Sequence, residues 1–159
     1  MEPLKPLDEL LHEHPFFAGM DEGPRKYIAG CGWNEVFHAG DYLFRAGQPA
    51  DKFFLIRHGT VAIELHVPGR EPLVVETLQD GDIAGWSWLV PPHKWSNDAR
   101  ASTLVRAISL DGRCLRGKCD EDHSVGYEIF KRFIPVIADR LSAVRMQLVD
   151  VYGEPGRRR

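Results

Sequence analysis

Between Trp33 and Leu110 the chain is a succession of short β runs cut at close intervals by glycine, and this narrows the possible folds more than any other feature. The runs are Glu35–His38, Tyr42–Phe44, Phe53–Arg57, Thr60–Leu65 and Leu73–Leu78, rich in β-branched and aromatic residues. The cuts fall at Ala39-Gly40-Asp41, Gly47, His58-Gly59, Pro68-Gly69 and Asp80-Gly81-Asp82. Two further strands fit Ala99–Leu110. Many short strands at this spacing predict an antiparallel β-sandwich or barrel.

Helical patterns flank the β region. Leu7–His12 has helical spacing and stops before Pro15, and Asp21–Gly30 carries Pro24 in its first turn. Asp111 is placed to cap a short helix reaching about Lys118. From Tyr127 onward, Tyr127, Phe130, Ile134, Ile137, Leu141, Val144, Leu148 and Val151 recur in alternating steps of three and four, a heptad seam. Ile129, Phe133 and Val136 form a second apolar flank beside the first half only. The expectation is a helix packed on its own β domain by that flank and on a second copy by the seam, with Phe130, Ile134, Ile137, Leu141, Val144 and Leu148 as the dimer interface. Pro135, on neither stripe, predicts a local bend rather than a break.

At 159 residues this is one domain: a helical segment over 1–32, β structure over 33–111, helices over 112–152 and a tail over 153–159. The net charge of −3 is too small for binding nucleic acid by electrostatics alone. It divides as −6 over residues 1–80 and +3 over 81–159, the positive excess residing in Arg157–Arg159, read as a frayed tail. No apolar run approaches the ~18–20 residues that span a bilayer, and Met1–Lys5 leads into acidic residues rather than a secretory signal. The expected location is the cytoplasm, with no membrane association, and Cys31, Cys114 and Cys119 are expected to be reduced thiols.

Helix, glycine-punctuated β structure and a long C-terminal helix together resemble the cyclic nucleotide-binding domain family over about residues 7–150. The resemblance rests on Ala39–Val61, similar to the family's first strands and turns; on Leu78–Gly85, similar to the entry to its phosphate-binding cassette; and on Ala99–Asp111, similar to the strands leaving it. It implies a mainly β fold with helices: an antiparallel β-roll of the jelly-roll, double-stranded β-helix type, with the cassette at 81–100, N-terminal helices and a long C-terminal dimerisation helix.

The cassette departs from the family pattern. Members that bind cyclic nucleotides carry a Glu after the cassette glycine for the ribose hydroxyl and an Arg before the next strand for the cyclic phosphate. Here Gly85 is followed by Trp86, and counting back from Ala99-Arg100 puts Trp95 in the Arg position with Lys94 beside it. A guanidinium–phosphate bond contributes roughly 1.5–3 kcal/mol, whereas an indole offers one N–H and no charge. Cyclic AMP and cyclic GMP should therefore bind poorly unless Lys94, Arg100 or the backbone N–H groups of Trp86 and Ser87 receive the anion. Asp98, two residues before Arg100, is expected to share its strand face and neutralise it. Trp86, Trp88 and Trp95 either line an aromatic pocket or fill the vacated site as core, the second being favoured.

Cys114, Cys119 and His123 are too few for a metal site and no cofactor is expected. His12 and His14 are expected to be solvated. No hydrolase elbow, zinc-protease or Walker motif occurs, and no DNA-reading module follows the long helix, so neither catalysis nor direct DNA binding is expected. Two readings remain: a non-enzymatic dimeric sensor taking a small anionic or aromatic ligand at Gly85, Trp86, Ser87, Trp88, Lys94, Trp95 and Arg100, or a ligand-free adaptor for oligomerisation or docking of another protein. An open cassette would favour the first, a cassette closed by indoles the second.

Overall fold

Two four-stranded antiparallel sheets face one another. The computed structural model describes residues 4–153; Arg157–Arg159 lie outside them. The strands are β1 Gly32–Phe37, β2 Tyr42–Phe44, β3 Lys52–His58, β4 Val61–Leu65, β5 Leu73–Leu78, β6 Ile83–Ala84, β7 Asp98–Ala101 and β8 Val105–Asp111. The helices are α1 Leu7–Glu13, α2 Glu22–Ala29, α3 Gly112–Glu121 and α4 His123–Tyr152. Late strands insert between early ones, β8 between β1 and β3 and β7 between β2 and β4, which rolls the chain into the expected jelly-roll form. At the β3–β4 turn Gly59 has φ +104°, and a Cβ there would lie 2.2 Å from the Leu104 carbonyl oxygen, so only glycine fits.

The period of two along a strand gives the protein two cores. On β3, Phe53 and Leu55 join the cluster beneath the helices, while Phe54 and Ile56 enter the interior of the roll. The same alternation sends Ile108 and Leu110 of β8, and Ile83 of β6, to the helices, and Val105, Ala107 and Ala84 to the roll. The β1-β8-β3-β6 sheet is thus covered on both faces, which explains the unbroken apolar run Phe53–Ile56.

Asp111 accepts the Cys114 backbone N–H at 2.9 Å to start α3, and Asp122 accepts those of Ser124 and Val125 to start α4. α4 buries Val125, Ile129 and Phe133 against the helical cluster and continues through Pro135. From Leu141 to Tyr152 every residue is exposed.

Two expectations are corrected. Cys31 and Cys114 are not free thiols but a disulfide, leaving Cys119 the free cysteine among the described residues. The cause is tertiary: β1 pairs Gly32 with Leu110, and the capped first turn of α3 folds back until the two Cα atoms stand 5.7 Å apart, within bridging distance. His14 is not solvated but 5% exposed; its Nδ1 accepts the Phe16 N–H at 3.2 Å and its Nε2 lies 3.1 Å from the Ile56 carbonyl oxygen. That pairing requires a neutral ring with its proton on Nε2. No described helix is long and apolar enough to cross a membrane.

A bridge spanning 83 positions of sequence restricts the unfolded chain. Reduction, or Cys114→Ser, should lower stability by about 2–4 kcal/mol in urea unfolding; an unchanged midpoint would show that the thiols are not joined. Burial also pushes the His14 imidazole below its ordinary 6.5, with the Ile56 carbonyl and Asp82 opposing. The unfolded chain then takes up this proton first, so the contribution is complete above pH ~6.5 and is lost as pH falls through the folded value. Thermal scans should show wild type losing more stability over that fall than His14→Gln; equal losses would contradict a buried neutral ring.

Candidate functional site

The stretch from Gly85 to Arg100 leaves β6, makes one 3-10 turn at Ser87–Leu89 and returns as β7. The backbone N–H groups of Trp86 and Ser87 stand at the start of this three-residue turn, too short to sum peptide dipoles into an anion site. The three indoles go to different places. Trp88 is fully buried among the helices, stacked on Phe53 with ring centroids 4.8 Å apart and edge-on to Phe133 at 5.5 Å. Its carbonyl accepts from Arg116 of α3, while its indole N–H has no partner. Trp95 enters the roll instead, 5% exposed and stacked on Phe44 at 3.8 Å with an 11° interplanar angle. Trp86 is half-buried and packs against the helical cluster.

Gly85, with φ +95°, is the seat for Trp95: a Cβ at Gly85 would stand 2.6 Å from the indole edge. The space left between Gly85, Trp86, Ser87, Trp95 and the Ser96-Asn97 turn is about 60 Å³. Sites for small molecules run to roughly 300–1,000 Å³, so this remnant holds a few waters at most.

The cations named from sequence lie outside it. Lys94 is exposed, its backbone bridged to Pro49. Arg100 is exposed on the outer face of β7, 5.6 Å above the Tyr42 ring. Asp98 does share that face, but it does not neutralise Arg100: its carboxylate accepts the Ala46 N–H at 2.7 Å and faces Arg45 at 3.7 Å, because β2 pairs with β7 and brings Arg45 across. Of the residues proposed from sequence, the structure brings together Gly85, Trp86, Ser87 and Trp95 around the remnant, and separates Trp88, Lys94 and Arg100 from it.

One cation does border the space, and it comes from α4. Arg140 lines the remnant together with Glu76, its Nε 3.3 Å from the Glu76 carboxylate and a terminal nitrogen donating to the Ile83 carbonyl. Burial lowers its pKa, opposed by Glu76 and Asp82. The signal in the sequence was its spacing: Arg140 continues the buried steps Phe133 and Val136, where an apolar residue would ordinarily stand.

Residues 34–122 match the sequence profile of the cyclic nucleotide-binding domain. The chain belongs to the cyclic nucleotide-binding domain family. It is 28% identical over 146 residues to the CRP-like cAMP-activated global transcriptional regulator of Mycobacterium tuberculosis, covering 91% of this chain and 63% of the regulator. It is 30% identical over 104 residues to cyclic nucleotide-gated ion channel 18 of Arabidopsis thaliana, covering 63% of this chain and 15% of the channel. A Geobacter metallireducens protein described as cyclic nucleotide-binding superimposes with a TM-score of 0.75 at 24% identity, over 87% of this chain and 99% of that one. The regulatory subunit of a cAMP-independent protein kinase A from Trypanosoma cruzi, bound to guanosine, superimposes with a TM-score of 0.68 at 24% identity, over 91% and 48%.

If Trp95 is structural filling, Trp95→Ala should cost about 3–5 kcal/mol, as other large-to-small core changes do. A loss under about 1 kcal/mol, the range of surface substitutions, would mean that the indole is not packed in the roll.

Proposed function

We propose that the protein is a non-enzymatic, dimeric regulatory module whose cassette does not take cyclic AMP or cyclic GMP. The observation that carries this reading is the Trp95 indole stacked on Phe44 and seated against Gly85, where it occupies the cassette and leaves about 60 Å³. The carboxylate and guanidinium expected of a nucleotide site are replaced by Trp86 and Trp95, and neither Lys94 nor Arg100 borders the remnant. A closed cassette favours the adaptor reading over sensing at Gly85–Arg100. The trypanosomal subunit of similar fold belongs to a kinase termed cAMP-independent and is bound to guanosine.

The dimeric part rests on α4. Phe130, Ile134, Leu141, Val144 and Leu148 are each about half exposed or more, and Ile137 is half-buried, while the opposite flank Ile129 and Phe133 is fully buried. An exposed heptad stripe over the free half of a 30-residue helix is the surface that a second copy covers. The partners are thus a second copy and a protein docked on the assembly, in the cytoplasm.

Sedimentation velocity tests this. Wild type should be a dimer at micromolar concentration, unchanged by millimolar cyclic AMP, and Leu141→Asp with Leu148→Asp should yield a folded monomer, since unpaired buried charge costs several kcal/mol. A monomeric wild type would overturn the dimer.

A further inference from the structure

Backbone bonds, not the disulfide, bring Cys31 and Cys114 together. The Cys31 carbonyl accepts the Asp111 N–H at 2.9 Å, the Asp51 carbonyl accepts the Gly112 N–H at 2.7 Å, and Gly32 pairs with Leu110. The Asp111 carboxylate is engaged on the Cys114 N–H and fixes the turn that carries Cys114 over Cys31. These contacts survive reduction, so the bridge can open and close without refolding the chain.

The two cysteines sit in different surroundings. Cys114 is half-buried in the first turn of the ten-residue α3, where the helix dipole favours a thiolate, and Arg113 precedes it. Cys31 is 4% exposed within the apolar cluster beneath the helices, which favours the neutral thiol. Cys119 takes no part. It lies about 140° around α3 and ~7.5 Å along it from Cys114, and burial, with Asp120 beside it, pushes its thiol up.

The bridge acts on more than its own turn. At its C-terminal end α3 is tied to α2 by Lys118 on the Tyr27 carbonyl and by the Tyr27 hydroxyl on Glu121 at 3.2 Å. At its N-terminal end the bridge is the covalent tie. Between the two, Arg116 donates to the Trp88 carbonyl, and a Cβ at Gly112 would stand 3.2 Å from the Trp88 Cβ. Cys119 packs on Gly126 of α4 nearly as closely, at 3.3 Å by the same measure. α3 therefore lies between the bridge on one side and both Trp88 and the docked start of α4 on the other.

We propose that Cys31 and Cys114 are a redox-active pair: a peroxide oxidises Cys114, Cys31 closes the bridge, and a dithiol reductant reopens it. The Cys114 thiolate attacks one peroxide oxygen, the O–O bond breaks, and a sulfenic acid forms as hydroxide leaves and is protonated to water. The Cys31 sulfur then displaces the sulfenic oxygen as a second water. Two thiols lose two electrons and two protons, and one hydrogen peroxide becomes two waters. In reverse, one thiolate of the dithiol attacks the Cys114 Sγ and Cys31 leaves. The second thiol of the reductant then frees Cys114, and the reductant becomes the disulfide. In the cytoplasm, the location proposed above, thiols are kept reduced and bridges that form are usually transient and redox-sensing. The chemistry itself depends neither on that location nor on the closed cassette. Opening the bridge loosens α3 and, through it, the seats of Trp88 and α4.

The test uses the full chain, reduced and then freed of reductant. One equivalent of hydrogen peroxide should close the bridge about ten-fold faster in the folded protein than in urea, read by alkylation and mass spectrometry. Cys31→Ser should stop at a sulfenic acid on Cys114 that dimedone traps, and Cys114→Ser should leave Cys31 unlabelled. Thioredoxin should reopen the bridge without denaturant. In the reduced form, amide hydrogen exchange should rise about ten-fold in α3 and the first turns of α4 and stay unchanged in β4 and β5. Closure no faster in the folded protein, dimedone on Cys31 in place of Cys114, or a bridge that thioredoxin cannot open would overturn the redox-active pair. Unchanged exchange in α3 would overturn its coupling to Trp88 and α4. Each of these failures leaves the closed cassette standing, since that reading is tested by nucleotide binding.

Discussion

Phe53 and Phe54, adjacent on β3, point to opposite faces of the sheet buried on both sides, and each secures one tryptophan of the cassette. Phe53 stacks on Trp88 beneath the helices, and Phe54 lies 6.2 Å from Phe44, which in turn carries Trp95 within the roll. Strand alternation alone therefore pins both ends of the cassette loop, one to each core. Phe133 of α4 is edge-on to both Phe53 and Trp88, so the long helix is docked on the same aromatic stack. Opening the cassette by moving Trp88 would disturb the seat of the helix.

Trp95 stacks on Phe44 inside the roll, and α4 reaches the rim of the space beside it through the Arg140–Glu76 pair. The Arg140–Glu76 pair stands as a partition, with a 60 Å³ remnant on one side and a 610 Å³ cleft on the other.

Much of this was legible in the sequence because it is written locally. The glycine cuts and β runs located the strands, and Asp111 marked a helix start. What was not legible depends on register between distant strands. The Cys31–Cys114 bridge follows from pairing Gly32 with Leu110; the Arg45–Asp98 pair follows from the β2–β7 ladder; burial of His14 follows from its approach to Ile56. None of these has a signature within ten residues of itself. Arg140 is intermediate, since its place on the buried stripe was visible and its partner Glu76 on β5 was not.

The central claim is that an indole stands where a cyclic nucleotide would bind, and calorimetric titration of wild-type protein with cyclic AMP and cyclic GMP tests it most directly. The account predicts no saturable heat for either nucleotide up to millimolar concentration. A dissociation constant near ~1 μM, about −8.2 kcal/mol, would mean that Trp95 leaves its place against Gly85 and Phe44 and would contradict the account.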